Sequence, residues 1–202
     1  MKAAAVGFRP HSGWTTLVVV SLERGRPVVL LRERVHLVKT FNYTYRQPYH
    51  TAAKASLEEG RAFIAHVQKE AQKIARAALH KTQARLAAAD YRLTHSGLLL
   101  SSGRVLPSLE KILAAHPLIH TADGELFREA LTRACTRCGL QLLCTREKEL
   151  VSEAAESLRL KETAVLRHVT ELGKLLGAPW SQDEKYATLV AWLALHTTRA
   201  PA

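Results

Sequence analysis

The chain has 202 residues, 47% of them apolar, which is enough to bury a substantial core and excludes a disordered polypeptide. Its 29 lysines and arginines against 18 aspartates and glutamates leave a formal charge of +11, which favours polyanions such as nucleic acids as partners. No apolar run approaches the ~18 residues that cross a bilayer, and the N-terminus lacks a signal-peptide core, so a cytoplasmic location and no membrane partner are expected.

One domain over 1–202 is expected. Ala3 to Phe8 is a short apolar run, and Gly7-Phe8-Arg9-Pro10-His11-Ser12-Gly13 is a cluster of breakers that turns the chain. Thr15 to Leu22 is β-branched and apolar. It has too few polar residues for a strand wet on one face, so it belongs inside a sheet covered on both. Glu23-Arg24-Gly25-Arg26-Pro27 turns the chain again, and Val28 to Val38 completes a three-stranded meander. An aromatic-rich loop follows over 39–56, with Phe41, Tyr43, Tyr45, Tyr49 and His50 around Arg46, Gln47 and Pro48. Such rings either stack nucleobases or pin a loop to the protein body.

Leu57 to Ala89 carries the longest helical signal. Ile64, Val67, Ala71, Ile74 and Ala78 form an apolar seam. Lys69, Lys73, Arg76 and His80 form a basic stripe on the other side, fit either to follow a phosphate backbone or to face water. The same helix offers a surface for a homo-oligomer. Tyr91 to Ser102 reads as a fourth strand with Gly103 as its breaker, and Pro107 to Ala115 as a short helix stopped by Pro117. His116 and His120 have the i, i+4 spacing of metal ligands, but Pro117 between them argues against the helix that would align them, so they read as loop histidines. Glu125 to Cys138 is a helix capped by Thr121 or Asp123 and closed by Gly139, and Leu140 to Thr145 is a fifth strand reached by a helical crossover.

Cys135, Cys138 and Cys144 are an odd number of thiols, expected to be reduced and to act as small buried hydrophobes, since nothing supplies a fourth zinc ligand. The C-terminal helices span 149–196: Glu149 to Leu158, Glu162 to Leu176, and the apolar run Tyr186 to Leu195 behind a Ser181-Gln182-Asp183-Glu184 capping box. Thr197 to Ala202 reads as a frayed tail.

The element order strand, strand, strand, helix, strand, helix, strand, helices resembles the ribonuclease H-like fold: an α/β mixed five-stranded sheet, an antiparallel three-strand meander plus two parallel strands, flanked by helices. Within that superfamily the likeness is to RuvC-like Holliday-junction resolvases. Val6-Gly7-Phe8-Arg9-Pro10-His11-Ser12 resembles their first-strand pattern G-[hydrophobic]-D-P-G-S. Lys161-Glu162, Leu175 to Pro179 and Asp183 to Leu189 resemble their ending, a lysine-led helix, an L-x-x-x-P stretch and a D-x-x-D-A-L-A helix. The resemblance implies two divalent cations held by acids on the first strand, the fourth strand and the last helix. Here the first-strand position is Arg9, Thr94 to Ser102 holds no acid, and Tyr186 stands where the second aspartate of the last helix belongs; Asp183 alone matches.

Three function classes follow. The first is a non-catalytic domain, without cofactor, that binds nucleic acid or another polyanion through Arg9, His11, Arg46, Lys69, Lys73 and Arg76. On this reading Arg9 turns a cation site into an anion-binding one. Within the class, Ala154 to Val169 resembles a helix-turn-helix with Thr163, Arg167 and His168 on its second helix and Arg159 at the usual turn glycine. The second is a magnesium- or manganese-dependent nuclease-like hydrolase with a displaced site, drawing on His11, Ser12, Glu125, Asp183 and Glu184, with Asp183 the candidate metal ligand. The third is a protein-interaction or oligomerisation domain.

Overall fold

The three leading strands pair as a meander. In the computed structural model, which describes residues 1–101 and 105–197, β1 (Lys2–His11), β2 (Trp14–Glu23) and β3 (Arg26–His36) are antiparallel neighbours. α1 (Tyr43–Arg46), α2 (Pro48–Ala52) and α3 (Leu57–Ala88) lead to β4 (Tyr91–Leu100), which joins β1 in parallel. α4 (Leu109–Leu113) and α5 (His116–Arg137) lead to β5 (Gln141–Arg146), which joins β4 in parallel. α6 (Leu150–Leu158), α7 (Glu162–Leu176) and α8 (Gln182–Thr197) follow. The sheet order β3-β2-β1-β4-β5 is the mixed five-stranded sheet expected from the element order. Ser102 and Gly103, expected to end the fourth strand, and the expected tail beyond Thr197 lie outside the described residues. No helix among the described residues is long and apolar enough to cross a membrane.

Both faces of the sheet are covered, which is why β2 is buried from Thr15 to Ser21. Alternation along β1 sends Ala4, Val6 and Phe8 to the side of α3 and α5, and Ala5 to the side of α8. The seam of α3 uses Ile64, Val67 and Ala71 as expected. It then drifts to Ala75, Leu79, Thr82 and Leu86, leaving Ile74 and Ala78 half-buried. α8 is buried at every residue from Ala187 to Leu195, because it lies between the sheet and the pair α6, α7. Two glycines paired across β1 and β4, Gly7 and Gly97, admit it. A Cβ on Gly7 would stand 1.9 Å from the carbonyl oxygen of Ala187, and one on Gly97 would stand 2.4 Å from that of Val190.

Four expectations need correction. β1 does not break at Gly7 but runs to His11; beyond Phe8 it pairs only with β2, so Pro10 sits on an edge, where a strand tolerates a residue without an N–H. The loop over 39–56 holds two short helices, α1 and α2. α5 begins at His116, not near Glu125, because Pro117 stands in its first turn, where its missing N–H has no helical acceptor to lose. His116 and His120 are therefore aligned on one helix, and Asp123 is a buried residue within it rather than its cap. Of the three cysteines only Cys135 is buried; Cys138 is half-buried and Cys144 exposed.

Candidate functional site

β1 outruns its pairing with β4 by three residues, Arg9, Pro10 and His11, at the carboxyl end of both strands. This is where open α/β sheets bind ligands, because neighbouring strands part there. Arg9 points into that opening with its side chain 16% exposed. Its Nε donates to Glu147 Oε2 at 3.1 Å and its Nη2 to Glu147 Oε1 at 2.7 Å, a two-pronged pair with the residue just after β5. Its Nη1 donates to Asp183 Oδ1 in the first turn of α8. The ring of Tyr186, one turn on, lies 5.5 Å from the guanidinium carbon. Burial works against the charge of Arg9, but Glu147 and Asp183 outweigh it and raise its pKa further.

His11 completes the group. Its Nε2 lies 2.9 Å from Asp183 Oδ1, so the first-strand turn and the last helix do meet, as the hydrolase reading requires. Its ring stacks on Trp14 at 4.1 Å. Arg34 lies over the other part of this ledge, its guanidinium carbon 3.5 Å from the Trp14 ring. Arg46 stands 4.5 Å from the ring of Phe41, which also stacks on His36 at 4.0 Å. The result is a ledge of alternating rings and cations running from the β1–β2 turn to α1. Tyr45 and Tyr49 pin this segment to the core, whereas Phe41 and Tyr43 are exposed.

A second cation lies beside the end of β4. Arg128 of α5 donates from Nε to the Leu99 carbonyl at 3.3 Å and pairs with Glu125. Burial lowers its pKa, with Glu125 and Glu147 acting in the opposite direction. Glu125 accepts from Ser101 Oγ at 2.6 Å and does not reach Arg9. Glu184 closes the capping box on Ser181, its Oε2 accepting from the Ser181 backbone N–H at 2.7 Å, and lines a cavity with Trp14, Arg34 and Asp183. A cleft of about 400 Å³ lies between β1 and α5, lined by His11, Ser12, Ser101, His120 and Arg128 among others.

Lys69, Lys73 and Arg76 are exposed along α3, but they are not brought to this end of the sheet. Gln83, further along α3, donates to the carbonyl of Cys138 at the far end of α5, so the stripe descends away from His11. Between α6 and α7, Arg159 takes the left-handed conformation (φ 54°) that a glycine usually takes. Thr163 and Arg167 are exposed on α7, while His168 packs edge-on to Trp192.

Glu147, Arg128, Trp14 and Arg34 were not singled out by the sequence. Glu147 sits in the run Arg146-Glu147-Lys148-Glu149, whose composition is that of a solvated turn. The available signal was its place, directly after the last parallel strand.

No protein-family model and no curated protein matches the chain. Among solved structures, T. thermophilus RuvC in complex with Holliday junction substrate is similar, with a TM-score of 0.56 at 13% identity, covering 97% of this chain and 94% of that one. A second Thermus thermophilus RuvC structure has a TM-score of 0.52 at 12% identity, covering 97% and 95%.

Proposed function

We propose that this ribonuclease H-like chain binds nucleic acid at the carboxyl end of its parallel strands without cleaving it, because a guanidinium stands where the resolvases it resembles hold divalent cations. One observation carries the reading: Arg9 is enclosed by Glu147, Asp183 and Tyr186. Magnesium and manganese take several carboxylate oxygens. Both carboxylates that reach this place are committed to Arg9, and the third neighbour is a ring, which suits an arginine and offers a hard cation nothing. The donor set does not fit a two-metal centre. The same ion pairs neutralise Arg9, so the anion-binding role falls to the ledge beside it, where Arg34 and Arg46 lie against Trp14 and Phe41. The charge of +11 supports a polyanionic partner, and the RuvC of similar fold is seen with a Holliday junction.

The test uses four-way-junction and duplex DNA at several salt concentrations, with Mg²⁺ and Mn²⁺ added in turn. Binding should fall steeply with salt, and replacing Arg34 and Arg46 together by alanine should weaken it and lower the slope by roughly 1–2. No strand cleavage should accompany binding. Metal-dependent cleavage lost in Asp183→Asn, or affinity indifferent both to salt and to the double substitution, would overturn the reading.

A further inference from the structure

The reading above leaves one cluster of side chains without a role. His50 on α2 and His116 and His120 on the first turns of α5 present ligand atoms that all lie within 4.8 Å of one another. Their rings meet edge to face, with centroids 5.4 Å apart for His50 and His116, 4.4 Å for His50 and His120, and 4.5 Å for His116 and His120. In a tetrahedral zinc site, with Zn–N bonds of about 2.0–2.1 Å, ligand nitrogens stand about 3.3 Å apart. His116 and His120 are exposed, so their side chains are free to turn by the little that this requires.

Beneath the cluster lies Asp123, 1% exposed. It accepts from the Tyr49 backbone N–H at 2.7 Å and lies 2.5 Å from His50 Nδ1. That second bond orients the ring and leaves Nε2 as the free lone pair, the carboxylate–histidine arrangement that holds metal-binding imidazoles in place. The carboxylate also meets the electrostatic objection to a cation here, since the start of a helix disfavours positive charge.

We propose that His50, His116 and His120 bind one transition-metal dication of the zinc type, with Asp123 as the positioning residue behind His50. Imidazole donors select such ions over magnesium and calcium, which take oxygen. Three protein ligands leave a fourth position, on the exposed side, for water. The cleft that His120 shares with His11 and Arg128 opens beside it. The bound ion ties α2 to α5. This site is independent of Arg9 and of the nucleic-acid reading.

The experiment titrates the metal-stripped full chain with Co²⁺ and with Zn²⁺ alone. One Co²⁺ per chain is expected, with the visible absorption of a four-coordinate ion, displaced by Zn²⁺, and Zn²⁺ should raise Tm. His116→Ala and His120→Ala, both at exposed positions, should keep the circular dichroism of the parent and lose the cobalt bands. Asp123→Asn should weaken Zn²⁺ binding by about 10–100-fold; should it fail to fold, the two histidine variants decide the matter. Absence of the cobalt bands, or bands and Zn²⁺ affinity that survive both histidine substitutions, overturns the proposal.

Discussion

Replacing Arg9 by alanine leaves Glu147 and Asp183 as like charges without their shared partner, Asp183 only 22% exposed. Hydrogen bonds to charged groups contribute ~1.5–3 kcal/mol, and partial exposure of Glu147 argues for a figure near the lower end. The expected loss is about 2 kcal/mol, or a fall in Tm of roughly 4–8 °C by thermal denaturation. Arg9→Lys should recover only part of it, since an ammonium cannot hold Glu147 with two parallel bonds. An alanine variant as stable as the parent contradicts the arrangement. His95 gives a second residue-scale expectation. Burial holds its pKa below the ordinary imidazole value, outweighing the opposing influence of Gln141. The unfolded chain therefore takes up this proton more readily than the folded one. The stability linked to His95 is complete above about pH 6.5 and is lost as pH falls below it. Tm should decline between about pH 7 and 5, less steeply in His95→Gln than in the parent; parallel declines would contradict this. At this scale Arg9, Tyr186 and Asp183 were legible, because each occupies a position of a known pattern. The convergence of Glu147 was not, since a charged turn carries no periodicity and its partner lies 138 residues away.

The elements divide in the same way. Strands and long helices repeat their apolar residues with a period, so β2, α3, the capping box at Ser181 and the crossover into β5 could be read directly. Proline defeats that reading when its position relative to a helix start is unknown. Pro117 ends a helix if it falls inside one and begins one if it falls in the first turn, and the second case aligns His116 with His120. Glycine has the same ambiguity. Gly7 looks like a breaker, yet it is paired with Gly97 in mid-sheet under α8, where only a missing side chain allows the backbones so close. Gly97→Ala should therefore cost about 1–3 kcal/mol as α8 is pushed from the sheet. Because α8 carries Asp183, the loss should overlap with that of Arg9→Ala rather than add to it. Full additivity in the double variant, measured by denaturant unfolding, would show that the glycine platform does not position the site.

Over the whole molecule, topology gathers what sequence scatters. The ends of β1 and β4, the turn after β5 and the first turn of α8 come to one rim of the sheet, and the ledge of Trp14, Arg34, Phe41 and Arg46 continues it. The chain's surplus of positive charge has a long reach at low ionic strength, and on the ledge Arg34 and Arg46 are held against Trp14 and Phe41, whose rings also stack on His11 and His36. The proposed function turns on the occupant of the space between Glu147 and Asp183, here the guanidinium of Arg9. Anomalous scattering from crystals soaked in Mn²⁺ locates that occupant directly. The guanidinium of Arg9 should remain between the two carboxylates with no manganese peak in coordinating range of both, whatever binds elsewhere; a peak bridging Glu147 and Asp183, with Arg9 displaced, would contradict the replacement of metal by arginine.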